Sequence, residues 1–290
     1  MRAVNRDYPG LVGGRAVGSI AIVLLAAGCA SPLHSSWTPV QAPSASPASR
    51  IASPTPPDGE PAESARPSAE GRPLKGQTIV VDPGHNGANA SRLARISRLV
   101  DAGGFRKPCN TTGTDSRYGT ESAFNWELAL LVRRDLQALG AHVVLTRQSD
   151  SSWGPCVDER GRVAPSAHAA ALVSLHADGA APSGHGFHVI HPGPLPGYTV
   201  DTAGPSRRLA IAVRDALKTA GLTPSTYVGA AGLHERTDLG PLNWASVPAV
   251  LLEAGNMANL DDARLLASAS GRERIAAAVA AGLASELPIH

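Results

Sequence analysis

A chain of 290 residues that balances 26 basic against 24 acidic side chains has a net charge of only +2, too little for the basic field that nucleic acid binding needs. Aromatic residues, at 4%, are too sparse for a base-stacking surface. With 43% hydrophobic residues the chain can bury one substantial core, but many of its 24 prolines crowd toward the amino end, so a tether and a folded part are expected.

Arg2, Arg6 and Arg15 precede an apolar run at residues 16–27, and small residues follow. That order is the layout of a secretory signal, and the run is shorter than the roughly 20 apolar residues a membrane-spanning helix needs. The string Leu25-Ala26-Ala27-Gly28-Cys29 resembles a bacterial lipobox, with Ala26 where leucine is commoner. In that reading Cys29 becomes the lipidated first residue of the mature protein; ordinary cleavage after Ala30 would discard it. Residues 1–30 are therefore read as a signal segment. The chain is expected to be exported to the periplasm or cell wall, anchored to the membrane if Cys29 is lipidated. Prolines recur from Pro39 to Pro73 among serines and alanines, so residues 31–74 are read as a disordered, semi-extended tether.

Residues 75–290 alternate strand and helix signals. Thr78-Ile79-Val80-Val81 is a β-branched apolar run that stops at the breaker Asp82-Pro83-Gly84 and delivers His85 into a loop. Phe124, Leu128, Leu131, Val132, Leu136 and Leu139 recur at helical spacing over residues 121–139, and Gly140 ends the helix. A strand at 142–146 and a helix at 157–168 follow. Then come a buried run at 171–175 ending at His176, a strand at 186–190 and a helix at 203–220 closed by Gly221. A last strand at 248–252 delivers Glu253, and an alanine-rich helix covers 272–283. Continuous apolar strands separated by helices predict an α/β fold: a single domain with a largely parallel central sheet flanked by helices on both faces. Residues 88–118 hold Arg92, Arg95, Arg98, Arg106 and Lys107, and read either as a basic flap beside the cleft or as a solvated loop. Cys109 and Cys156 lack a C-x-x-C spacing and, in an exported chain, are expected to form a disulfide.

Ligand sites of such sheets gather at the carboxyl ends of the strands. His85, His176 and Glu253 each fall directly after a buried strand, and Glu121 opens the first long helix. Two imidazoles and one carboxylate suffice for a catalytic zinc with an open position, leaving the other carboxylate free as a general base. His185, His188 and His191 repeat every third residue, but alternation along a strand points His185 and His188 to opposite faces, so satisfied surface or supporting histidines are expected. His142, His168 and His234 stand alone and are read as packing or hydrogen-bonding residues.

Four ordered strings carry a family resemblance. They are Ile79-Val80-Val81-Asp82-Pro83-Gly84-His85-Asn86-Gly87, Gly119-Thr120-Glu121-Ser122-Ala123-Phe124-Asn125, Val173-Ser174-Leu175-His176-Ala177-Asp178, and Val247-Pro248-Ala249-Val250-Leu251-Leu252-Glu253-Ala254-Gly255 with Asn259. Together with Leu145-Thr146-Arg147 and Arg160, they resemble the zinc-dependent N-acetylmuramoyl-L-alanine amidases of the AmiC-like, amidase-3 type, over residues 76–287. The resemblance implies one zinc ion on His85, Glu121 and His176, with Glu253 as catalytic base. It implies hydrolysis of the amide between N-acetylmuramic acid and L-alanine in peptidoglycan or its muropeptide fragments. Asn125, one helical turn after Glu121, is expected to support that ligand. Asp178 stands where many relatives carry asparagine, Ala164-Pro165 where Ala-Asn is usual, and Asn256 where phenylalanine is commoner. These departures bear on groove shape and stem-peptide preference rather than on the ligands. A catalytically silent wall-binding module and a zinc peptidase cutting within the stem peptide are the competing readings. A monomer is expected.

Overall fold

A computed structural model describes residues 72–287. The expected signal segment with Cys29, and residues 31–71 of the expected tether, lie outside the described residues. Leu74, assigned to the tether by sequence, is wholly buried and its N–H donates to the Leu139 carbonyl at 3.0 Å, so it belongs to the folded part.

The elements run β1 (Thr78–Pro83), α1 (Leu93–Ile96), β2 (Leu99–Asp101), β3 (Arg106–Pro108), β4 (Asp115–Ser116), β5 (Gly119–Thr120), α2 (Glu121–Ala138), β6 (His142–Leu145) and α3 (Val157–Ser166). They continue with β7 (Ala171–Asp178), β8 (His188–Pro192), α4 (Val200–Thr219), β9 (Leu233–Arg236), α5 (Gly240–Asn243), β10 (Ala249–Asn256), α6 (Leu260–Ala267) and α7 (Ala269–Glu286). Six strands form one sheet in the order β6-β1-β7-β10-β8-β9. All neighbours are parallel except β10 and β8, so the domain is α/β with a mostly parallel sheet. Among the described residues, no helix is long and apolar enough to cross a membrane.

Alternation along the strands divides the core in two. Ile79, Val81, Val173, Leu175, Val250 and Leu252 join the larger cluster, with Leu128, Val132 and Leu136 of α2, Leu209, Val213 and Leu217 of α4, and Ile275, Val279 and Leu283 of α7. The alanines of α7 let it lie close to α4: a Cβ at Gly282 would come within 2.6 Å of the Val213 Cα. Val80, Leu172, Ile190, Ala249 and Leu251 point to the opposite face, which the shorter α3 and α5 cover through Ala164 and Leu242.

That second face changes character along its strands. After Leu172 of β7 the alternate residues are Ser174, His176 and Asp178; after Leu251 of β10 comes Glu253; after Val80 of β1 comes Asp82. The apolar base packs under the helices and the polar carboxyl ends are left to line an opening. The strand order also reverses there. The chain leaves β1 for β6 at one edge and returns to β7 on the other side of β1, so β1 and β7 flank the switch point at which open α/β sheets bind ligands.

The sequence places His176 and Glu253 just beyond their strands; in the structure they lie within β7 and β10, in parallel register with each other. The ladder continues two to three residues further because polar side chains on one face do not stop the backbone pairing. The strand expected at 186–190 starts later, at His188, and runs antiparallel to β10. Residues 88–118 are not one loop. They fold into a 3-10 turn, α1 and the β2–β3 and β4–β5 hairpins.

Candidate metal centre

Three of the predicted ligands converge. Asp82-Pro83-Gly84 turns the chain out of β1, and His85 sits in the left-handed region with φ of 55°. Its Nε2 lies 3.2 Å from Glu121 Oε1, and His176 Nδ1 approaches the same oxygen at 2.9 Å. The imidazoles meet edge to face at 4.9 Å, and one ligand atom from each of the three residues lies within 4.8 Å of the others. Gly84 permits this approach: a Cβ there would fall 2.2 Å from His176 Cε1 and Nε2.

Glu121 is placed by its position in α2. Thr120 caps the helix, its hydroxyl accepting the Ala123 N–H at 3.2 Å, which puts Glu121 in the first turn where the helix dipole favours a carboxylate. Oε2 accepts the Thr114 N–H at 2.8 Å, and Oε1 accepts the Ala177 N–H at 3.2 Å. Burial alone would push this carboxyl up, but the hydrogen bonds and charge of His176 and His85 outweigh it and hold it well below the usual carboxylate range. Asn125 Nδ2 donates to the Gly84 carbonyl at 3.2 Å and lies 3.5 Å from Glu121 Oε1, so it spans the His85 loop and the acidic side chain.

Two buried arginines fix the loop that carries His85. Arg160 of α3 is 2% exposed and pairs with Asp82 Oδ1 at 2.7 Å. It also donates to the carbonyls of Pro83 at 2.8 Å, His85 at 2.6 Å and Gly154 at 2.9 Å. Asp82 accepts from Thr146 and Ser174 as well. Burial would raise its carboxyl, yet Arg160 and these hydroxyls hold it lowered. On the other side Arg147 donates to the Pro83 carbonyl at 2.9 Å and the Ser122 carbonyl at 2.8 Å, joining the His85 loop to the start of α2. Both arginines lie in the strings of the family resemblance; that they act as backbone clamps is visible only in three dimensions.

Glu253 stands apart from the His–Glu–His group in one respect. Its Oε2 is buried and has no hydrogen-bond partner among the described residues. Burial pushes its carboxyl well above the ordinary value, the charges of Glu121 and Asp178 push the same way, and Arg236 only partly relieves this. A cavity of about 240 Å³ opens here, lined by His85, His176 and Glu253 on the sheet side and by Lys107, Pro108 and Thr111 of the arm. The arm over residues 88–118 therefore borders the cleft, one of the two arrangements the sequence left open. Its charges are mostly engaged: Arg95 stacks over Trp153, Arg106 donates to the Leu99 carbonyl, and Lys107 bonds Asp238. The structure pairs Cys109 with Cys156, their Cα atoms 4.3 Å apart, tying the arm to the start of α3.

One histidine expectation needs correction. His188 is not a satisfied histidine: it is buried beside Glu253 and its Nδ1 lacks a partner among the described residues. His234, expected to serve packing or hydrogen bonding, packs its ring 5.7 Å from that of His188. The antiparallel return of β8, which no residue spacing announces, brings them there. Asn256 is buried and holds the 180–184 loop, with Nδ2 donating to the carbonyls of Ala181 at 2.9 Å and Gly184 at 2.7 Å.

A mostly parallel α/β sheet with a His–Glu–His group and, beside it, a buried glutamate with one oxygen unpartnered among the described residues defines a candidate metallohydrolase centre. Residues 79–285 match the amidase-3 family model, described as N-acetylmuramoyl-L-alanine amidase. The chain is 43% identical over 216 residues to an N-acetylmuramoyl-L-alanine amidase of Mycobacterium tuberculosis, covering 74% of this chain and 88% of that one. The crystal structure of the N-acetylmuramyl-L-alanine amidase Ami1 from Mycobacterium smegmatis matches with a TM-score of 0.69 and 43% identity, over 74% of this chain and 98% of that one. Apo Ami1 from Mycobacterium abscessus gives 0.69 and 42%, over 74% and 100%. The chain belongs to the N-acetylmuramoyl-L-alanine amidase family.

Proposed function

We propose that this protein is an exported, zinc-dependent peptidoglycan amidase that hydrolyses the bond between N-acetylmuramic acid and L-alanine, with Glu253 as general base. The observation that carries this reading is the juxtaposition of a His–Glu–His group with a buried glutamate whose Oε2 has nothing in the described chain to bond. Family membership and the named relatives supply the substrate class.

The donor set fits zinc: two imidazole nitrogens, one carboxylate oxygen held acidic, and an adjacent cavity for water and substrate. His85, Glu121 and His176 would hold the ion, which when bound supplies carbonyl polarisation and a lowered pKa for water. The remaining chemistry belongs to this chain. Glu253 takes one proton from the attacking water and returns it to the nitrogen of L-alanine as the amide C–N bond breaks. The products are the lactyl carboxylic acid and the free amine of the peptide. Arg160 and Arg147 hold the backbone around His85, while Thr114, Ala177 and Asn125 orient Glu121. All four positions of the resemblance are filled, which argues against a silent binding module. Export, with anchoring through Cys29 as one form of it, is supported by the amino-terminal sequence and by the disulfide.

The test is metal titration. Protein stripped by a chelator should release no N-acetylmuramic acid, and one equivalent of zinc should restore turnover. His176→Ala should neither retain zinc nor recover. Full turnover by the stripped protein would remove zinc from the mechanism.

A further inference from the structure

Beyond Glu253 the same sheet face carries a second group of polar side chains that neither the metal nor the base employs. The register sets His188 of β8 opposite Glu253, on the face that also bears His176. His188 is 2% exposed, and Tyr227 meets its ring edge-on at 5.9 Å, with His234 at 5.7 Å on β9. Among the described residues, His188 Nδ1, His234 Nδ1 and Glu253 Oε2 are all buried without a hydrogen-bond partner, and the Tyr227 phenol beside them faces Asp178. Buried polar atoms are nearly always paired in folded proteins, so three gathered at the edge of a candidate active site call for a ligand that pairs them.

We infer that His188, Tyr227 and His234 form the subsite for the peptide portion of the substrate, and that it takes an uncharged carboxamide in preference to a carboxylate. This rests on the amidase reading. The proton carried by Glu253 goes to the departing amine, so the peptide leaves on the Glu253 side of the metal group, toward β8 and β9.

Charge decides what fits there. Burial pushes the His188 imidazole down to about 4, so at neutral pH its ring is uncharged and presents one donor and one acceptor. The Tyr227 phenol is pushed up by burial, by the charge of Asp178 and a hydrogen bond to it, and then by Glu253, and it stays protonated. Arg236 is held by Asp238 through contacts of 2.7 and 2.6 Å, and Lys107 bonds that same carboxylate at 3.2 Å. A carboxylate entering the subsite would shed its water to face Asp178 and Glu253, with both cations already engaged. A carboxamide presents a carbonyl to an imidazole N–H and an NH2 to an acceptor such as the second imidazole nitrogen or the Tyr227 oxygen. Sites with fixed, buried partners reject the analogue that leaves them unpaired.

The experiment compares kcat/KM of the zinc-loaded full chain on N-acetylmuramyl-L-alanyl-D-isoglutamine and on the same compound bearing D-glutamic acid, which differ only as carboxamide against carboxylate. Wild type should favour the carboxamide by about tenfold, the size of one well-placed hydrogen bond with its unpaired penalty. Tyr227→Phe, which removes one hydroxyl, and His234→Asn should each shrink that ratio toward unity by raising KM for the carboxamide. Zinc content and Tm should not change. Equal wild-type kcat/KM on the two compounds, or variants that lower both rates equally, would overturn the subsite while leaving the amidase intact. Failure of zinc-loaded protein to cleave either compound would sink the amidase reading and the subsite with it.

Discussion

Glu253 occupies a position that costs the fold stability and that the proposed function assigns to the general base. Its carboxyl is buried, lies near Glu121 and Asp178, and keeps one oxygen without a partner among the described residues. A group whose folded pKa is raised binds its proton more tightly in the native state, so its stabilising contribution is present at low pH and lost as pH climbs past the raised value. Glu253→Gln should therefore stabilise the metal-free protein at pH 7 by about 1–3 kcal/mol, because a neutral amide has no ionisation to lose on burial, measured by urea denaturation. The same substitution should lower kcat by about 10²–10⁴, the range for loss of a general base, with zinc still bound. A base must be ionised to act, so wild-type activity should fall as pH drops and Glu253 takes up its proton, read from a kcat/KM profile. At this scale the site was legible in sequence because His85, Glu121, His176 and Glu253 sit inside distinctive strings. His188 was not, because the register that sets it beside Glu253 depends on β8 turning antiparallel to β10.

Among the elements, α3 fastens the site to the sheet. Arg160 reaches from it across to Asp82 on β1 and to the carbonyl of His85 itself. Removing the guanidinium in Arg160→Ala leaves Asp82 buried and uncompensated, which should cost about 3–5 kcal/mol by chemical denaturation. Asp82 has a lowered folded pKa, so its contribution is present above the ordinary carboxylate value and is lost as pH falls through the lowered one. The Cys109–Cys156 bridge closes a sequence separation of 47 residues between the arm and α3. Reduction, or paired serine substitution, should remove about 2–4 kcal/mol and loosen the arm over the cleft, followed by Tm and by hydrogen exchange in residues 106–111. The long elements were readable from periodicity: β1, α2, β7, α4, β10 and α7 fall within a few residues of their expected bounds. The β2–β3 arm, β9, α5 and α6 were not. They span three to eight residues each and are set by packing and by caps such as Asn259, whose side chain accepts the Asp261 and Asp262 N–H groups.

Across the whole domain, one layer of helices supplies most of the core and frees the other face for function. The larger cluster packs α2, α4 and α7 on the sheet, whereas the smaller one under α3 and α5 gives way to Ser174, His176, Asp82 and Glu253. This switch from apolar to polar on a single face was present in the sequence as alternation within each strand; the order of the strands, which turns those residues into one cleft, was not. The most direct test of the central claim is mass spectrometry of the products when zinc-loaded protein and its Glu253→Gln variant meet N-acetylmuramyl-dipeptide and intact cell wall. Free N-acetylmuramic acid with intact dipeptide from the wild type, and neither from the variant, is the expected result. Cleavage within the peptide, or no cleavage of fragment or wall by wild type with zinc demonstrably bound, would contradict it.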